Sequence, residues 1–179
     1  MPITEFASFS LISPNKLSDP HVVELFSKVS SWQTSSSGYP LCFFTNPEEL
    51  AEIYLITGWD DVAAHEKWIK SPRNQELLQI AKKVLNIIGM VHLDIDFSKF
   101  PVGAESLVCT RFIGASGGLS KETQRSMAHV QGTWTGYGKD VQESGTGVYL
   151  LLQESDILEG VKGEGGIDMK AHLKSVKFT

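Results

Sequence analysis

EIYLITGWDD (52–61) and GVYLLLQESD (147–156) decide the fold. They align without a gap and set Tyr54 opposite Tyr149. Each is a β-rich run that gives way to an acidic turn. Outward from them, the two halves of the chain keep the same order. An opening strand, Thr4–Ile12 or Ser106–Ile113, precedes a helix that ends in a tryptophan, Trp32 or Trp134. A long loop then leads to the aligned strand, followed by a helical or irregular segment and a last strand. This is the signature of a tandem duplication with a degraded second copy. The first module is assigned to residues 1–97, a linker (SKFPVGA) to 98–104, and the second module to 105–179.

The first copy reads in detail. Asp19-Pro20 opens a helix, with Asp19 at the N-cap and Pro20 at the first helical position. Val22, Val23, Leu25, Phe26, Val29 and Trp32 form its apolar stripe, and SSSGYP breaks it. Leu41–Thr45 is a short strand, and Glu52–Gly58 the next. A second helix starts at Asp60 or Asp61. It is interrupted at SPRN, where Ser71 caps and Pro72 restarts it, and its apolar face continues through Val84 and Leu85 to Gly89. MVHLDIDF (90–97) alternates strictly and is a strand with two unlike faces. In the second copy Ser120 caps the helix, GYGKDVQESGTG (136–147) is a Gly-rich loop, Val148–Gln153 is a strand, 156–166 is irregular, and Ala171–Phe178 closes the chain as a strand.

Composition narrows the function classes. With 179 residues, 41% hydrophobic and 21% charged, the chain is an ordinary globular one, long enough to bury a core. A net charge of −5 with no clustered Lys and Arg argues against nucleic acid and against an anionic membrane as partners. No apolar run is long enough to span a bilayer, and the N-terminus reads as a strand rather than a signal peptide. Cys42 and Cys109 sit singly in apolar runs and read as buried, reduced thiols, which together with the missing leader points to the cytosol. CxxC, HExxH, GxGxxG, P-loop and GxSxG patterns are absent, so neither a metal nor a nucleotide cofactor is expected.

GWDDVAAHEKWIKSP (58–72) resembles a segment of the dimeric α/β-barrel superfamily, and within it the antibiotic-biosynthesis-monooxygenase-like group, especially its fungal members. The matching residues are Gly58, Trp59, Ala64, His65, Ser71 and Pro72, and the likeness covers residues 3–97. The resemblance implies an α+β fold of ferredoxin-like modules, whose antiparallel sheets pack into an α/β barrel with helices outside. The second sheet comes from a partner subunit, as in a homodimer, or from a tandem copy. It implies a cavity for small, hydrophobic, often aromatic or polyketide-like ligands. Members include cofactor-free monooxygenases, polyketide cyclases, lyases, haem-degrading enzymes and proteins of no known activity. The second half departs from the pattern, with QESDILEGVKGEGG where the helix motif should stand.

Alternation nominates the chemistry. Val91, Leu93, Ile95 and Phe97 form the apolar set and are expected under the helices. Met90, His92, Asp94 and Asp96 would then face the cavity, with His92 and Asp94 about 7 Å apart by strand rise. A histidine can exchange a proton near neutral pH, and a carboxylate can orient it or act as base. Tyr54 and Ile56 share one face, expected in the cavity, while Ile53, Leu55 and Thr57 face the helices; Tyr149 follows Tyr54 by repeat symmetry. His65 lies on the apolar face of its helix between Val62 and Ile69, where a structural role competes with a catalytic one. His129, beside Arg125, is a weaker candidate on the solvent side. Arg111 sits at a sheet edge or in the cavity, where it could hold an anionic group. Trp68 and Met90 are candidate ligand contacts. The catalytic candidates are therefore His92, Asp94, His65 and Tyr54, and the binding candidates Trp68, Arg111, Tyr149 and Met90. The expected function is cofactor-free acid–base chemistry on a hydrophobic substrate: cyclisation, isomerisation, dehydration or oxygenation. Its rivals are a non-catalytic ligand-binding barrel and haem binding through a histidine in the barrel.

Overall fold

The computed structural model describes residues 1–113, 133–142, 148–154 and 166–178. Within them the chain runs β1 (Ile3–Leu11), α1 (Pro20–Ser37), β2 (Leu41–Asn46), β3 (Glu49–Trp59), α2 (Val62–Ile69), α3 (Pro72–Ala81) and β4 (Leu85–Leu93). A short 3₁₀ turn, Phe97–Lys99, follows, and then β5 (Ser106–Ile113), β6 (Thr135–Lys139), β7 (Val148–Gln153) and β8 (Gly166–Val176).

All eight strands belong to one antiparallel sheet, ordered β4-β1-β3-β2-β8-β5-β7-β6. If the second four are numbered as a repeat of the first, the order reads 4-1-3-2 twice. The pairing order is the same in the two halves of the sheet. One seam joins β2 to β8 through Phe43–Thr45 and Lys174–Val176. The remaining ends, β4 and β6, meet as well. Val141 N–H donates to the His92 carbonyl at 2.8 Å, Asp94 N–H to the Lys139 carbonyl at 3.1 Å, and Leu93 bridges Asp140. The sheet therefore curls into a barrel within one chain, which removes its free edges at that level.

Closure creates two apolar layers. Inside the barrel lie Phe6, Phe44, Tyr54, Ile56, Leu93, Ile95, Leu107, Cys109, Leu152 and Leu173, drawn from both halves. Phe97 and Phe100, stacked at 5.2 Å, join the same core, so the linker residue Phe100 is buried rather than exposed. Between the sheet and α1–α3 lies the second layer, with Val22, Leu25, Phe26, Ile53, Leu55, Trp59, Trp68 and Leu77.

The helix signals act as expected in part. Gly38, at φ 77°, ends α1 after Ser37. Asp61 accepts from Ala64 N–H at 2.7 Å to cap α2, and Ser71 accepts from Asn74 N–H at 3.2 Å to cap α3. Asp19 stands at the N-cap of α1, but its carboxylate accepts from Lys16 N–H rather than from the helix.

Three expectations are corrected. The helical pattern expected to run to Gly89 stops at Ala81, and Val84 and Leu85 enter the sheet layer as β4 begins. Gly89 lies inside β4, where the register against β1 slips at Ser8/Phe9. GYGK is strand, not loop: Gly136 and Gly138 sit so close to Trp134 and to Asp94 and Ile95 that a Cβ would fall 2.6 Å from each neighbour. The second-copy helix, with His129, and most of the 156–166 segment lie outside the described residues.

Gly58, part of the motif, has a packing reason. A Cβ there would fall 2.4 Å from the Phe97 ring and 2.8 Å from Tyr39. Gly58→Ala should cost roughly 1–3 kcal/mol by overpacking, read as a lower urea midpoint with an unchanged m-value.

Candidate functional site

The site begins at a charge where the strand pattern calls for an apolar residue. In β1, Glu5 shares a face with Ala7 and lies under the helices, 4% exposed. Its Oε2 accepts hydrogen bonds from Trp59 Nε1 at 2.6 Å and Gln33 Nε2 at 2.9 Å. Trp59 ends β3 and Gln33 projects from the last turns of α1, so two elements donate to one carboxyl oxygen of a third. The other, Oε1, has no hydrogen-bond partner among the described residues. Burial drives the Glu5 pKa up to about 7, although both donors pull against it.

His65, from α2, stands beside this carboxyl. Its ring stacks on Trp59 at 4.6 Å, and its Nε2 lies 3.5 Å from Glu5 Oε2. Its Nδ1 is 2.5 Å from Nε2 of His92, whose Nδ1 is 2.6 Å from Gln142 Oε1. Burial, helped by His92, lowers the His65 pKa to about 3. A raised carboxyl facing a lowered imidazole is a neutral pair around pH 6, not an ion pair. Both groups avoid the large cost of a buried charge.

Next to the pair is a cavity of about 230 Å³ between the sheet and the helices. Glu5, Gln33, His65 and Asn74 are its polar members; Trp68, Phe9, Leu77 and Met90 are among the apolar ones. This is below the ~300–1,000 Å³ of drug-sized sites, so it suits a compact molecule of one or two rings.

The sequence-predicted residues divide between the two sides of the sheet. His92 is fully buried on the helix side, opposite Glu5 in the β1–β4 register. This corrects its expected place in the barrel. Alternation had separated the faces of β4 correctly but assigned them backwards. A barrel closed within one chain needs apolar side chains inside, and Leu93, Ile95 and Phe97 supply them. Asp94 is exposed just beyond β4, where its Oδ1 accepts Lys139 N–H at 2.6 Å across the seam. Asp94 therefore faces no cavity with His92, and Asp96 caps the 3₁₀ turn. His65 and His92, not expected to meet, are in contact. Trp68 and Met90 line the same cavity as the Glu5–His65 pair.

Tyr54 is inside the barrel, as its face implied, and donates to Glu52 Oε2 at 2.5 Å. It shares with Ser8, Met90 and Arg111 a separate pocket of about 180 Å³. Burial and the Glu52 bond push the Tyr54 hydroxyl well above its usual range, so it is a donor rather than a base. Tyr54 and Arg111 are thus across the sheet from the histidines. Tyr149 lies opposite Phe112 in β7, and its side chain is outside the described residues.

Sequence reasoning missed Glu5, Gln33, Trp59 and Gln142 as members of the site. A signal existed for two of them. Glu5 interrupts the apolar face of TEFASF, and Gln33 follows Val29 by four residues on the stripe of α1.

Among the described residues no histidine faces the inside of the barrel, and His129 lies outside them. His21 and His172 are exposed, and His65 and His92 are bonded to one another on the helix side. The cavity beside them is too small for a porphyrin. Among the described residues, no three His, Cys, Asp or Glu side chains are grouped to hold a metal ion. No described helix is long and apolar enough to cross a membrane.

No protein-family model matches the chain, and no curated protein sequence matches it. Solved structures do. A candidate monooxygenase from Fusobacterium nucleatum superposes with a TM-score of 0.63 at 12% identity, over 98% of this chain and 93% of that one. A candidate chlorite dismutase gives 0.65 at 10% identity, over 99% and 95%. A chlorite dismutase variant from Candidatus Nitrospira defluvii gives 0.58 at 10% identity, over 99% and 91%. At such identities the likeness is one of fold. The chain has the α+β, ferredoxin-like barrel fold that these monooxygenase and chlorite dismutase structures share.

Proposed function

We propose that this protein is an acid–base enzyme acting on a compact, hydrophobic, oxygen-bearing small molecule held between the sheet and α1–α3. One observation carries the reading. Glu5 lines an apolar cavity with one carboxyl oxygen fully engaged, the other unpartnered among the described residues, and a pKa near 7. A general acid or base works best when its pKa lies near the operating pH. Trp59 and Gln33 fix Oε2, leaving Oε1 to give a proton to a bound carbonyl or take one from an activated C–H. The apolar walls exclude water and strengthen that exchange. Trp68 offers a flat face to a ring.

Proton transfer alone accounts for isomerisation, cyclisation or dehydration. The likeness to candidate monooxygenases favours oxygenation. In that case ionised Glu5 removes a proton from an activated methylene. The resulting carbanion reduces molecular oxygen, and loss of water leaves a carbonyl: R₂CH₂ + O₂ → R₂C=O + H₂O. No cofactor enters this balance.

The test is a panel of one- and two-ring phenols, enones and cyclic ketones, assayed in air and without oxygen, with wild type and Glu5→Gln. Turnover lost in Glu5→Gln with binding retained supports the reading; dependence on oxygen selects oxygenation. Binding without turnover in wild type would leave a ligand-binding protein instead.

A further inference from the structure

The bond between His92 and Gln142 crosses the barrel seam. His92 belongs to β4, in the first half of the chain. Gln142 follows β6, in the second half, and is exposed. Its segment is tied to β4 by two backbone hydrogen bonds and shaped by a third within itself. Val141 N–H donates to the His92 carbonyl, Asp94 N–H to the Lys139 carbonyl, and Gln142 N–H at 3.0 Å to Asp140 Oδ1. A continuous line of polar contacts therefore runs from the surface to the buried carboxyl: Gln142, His92, His65, Glu5.

The line has a direction. An amide oxygen only accepts, so Gln142 Oε1 requires the hydrogen of His92 on Nδ1. His92 Nε2 is then a bare acceptor, and the 2.5 Å contact requires that His65 donate from its own Nδ1. His65 Nε2 is left bare, turned towards Glu5 Oε2 at 3.5 Å. A bare nitrogen there favours the protonated carboxyl of Glu5; one carrying a hydrogen would favour its ionised form. The state of the carboxyl is thus tied to an amide two rings away.

We infer that Gln142 is a positioning residue: by accepting from His92 it sets the tautomers of both histidines and keeps His65 Nε2 bare beside Glu5, which holds the carboxyl in its protonated form. The inference rests on the proposed function for its catalytic meaning, but the tautomer chain can be read without any substrate. It also gives the second half of the chain a part in a site whose cavity is lined by the first.

The test is two-bond ¹H–¹⁵N correlation of the histidine rings in the full chain at pH 6–7. Wild type should show His65 and His92 both as Nδ1–H tautomers. Gln142→Met, which keeps length but removes the acceptor, should move at least one ring to Nε2–H or to a mixture. Gln142→Glu, which keeps an acceptor oxygen, should restore the wild-type pattern. Nε2–H at both rings in wild type overturns the inference, and so does an unchanged pattern in Gln142→Met. Thermal melts of each variant separate a folding defect from a tautomer change. Once a substrate is found, Gln142→Met should lower kcat about tenfold with KM little changed. Equal activity in Gln142→Met while Glu5→Gln is dead sinks the positioning role and leaves the Glu5 reading standing; activity in Glu5→Gln sinks the Glu5 reading itself.

Discussion

Glu5→Gln should lower turnover by about two to four orders of magnitude and, with no substrate present, change how stability depends on pH. The free Glu5 carboxyl titrates at 4.5 and the folded one at about 7. Folded protein therefore holds the extra proton across that window, and this group alone makes stability fall as pH rises. Free His65 titrates at 6.5 and the folded ring at about 3. The unfolded chain holds that proton, so this group alone makes stability rise with pH. Between pH 4.5 and 6.5 the two slopes cancel. The cancellation survives whichever partner carries the shared proton, because folded and unfolded chains both hold one between them. The titratable groups in contact with the pair are each other and His92.

Wild type should accordingly show no net slope from this pair over that window. In Glu5→Gln the His65 slope stands alone, at about 1.4 kcal/mol per pH unit, or ~3 kcal/mol across it, with acid destabilising. In His65→Gln the Glu5 slope stands alone, with the same size and the opposite sign. The glutamine in Glu5→Gln still has an oxygen for Trp59 and Gln33, so no donor is orphaned. Urea denaturation at intervals of half a pH unit reads all three. Parallel pH curves for the three proteins would falsify the neutral-pair description.

Much of the fold was legible because its signals are local. Asp61, Ser71 and Pro72 punctuate α2 and α3 through contacts within a few residues, and the faces of β3 follow from simple alternation. The 4-1-3-2 order repeated in the sheet was foreshadowed by the two aligned strands. The site was less legible, for two reasons. Its members come from β1, α1, β3, α2, β4 and the segment after β6, and no spacing rule connects Glu5 to Gln142. The assignment of His92 also depended on which face of β4 is inside. A sheet packed on both sides offers two apolar layers, and alternation cannot rank them. What tips the choice is the closure of the barrel. Once Phe6, Leu93 and Ile95 are needed inside, Glu5 and His92 must turn to the helices together, as their cross-strand register demands.

Closure itself should be the structure's most sensitive point. Gly138 in β6 is buried against the residues just after β4, where a Cβ would fall 2.6 Å from Asp94 Oδ1 and from Ile95 Cγ1, and 3.2 Å from the Ile95 backbone nitrogen. Two of these neighbours are not flexible ends. The Asp94 carboxylate is held by Lys139 N–H, and the Ile95 backbone cannot yield without moving the chain. Gly138→Val should therefore push β6 off β4 rather than be absorbed. Overpacking accounts for about 1–3 kcal/mol, and each seam hydrogen bond lost adds roughly 0.5–1.5 kcal/mol. A loss of ~3 kcal/mol or more is expected, against almost none for Gly103→Val, where a Cβ meets nothing within 4 Å. Because Val141 and Gln142 are anchored through the same seam, the variant should also free the His92 ring. Its amide exchange should rise at His92, Asp94 and Val141 while Val22 and Leu25, on α1, stay protected. Uniform exchange across the chain would instead mean that the two halves unfold as one unit and that the seam has no separate opening.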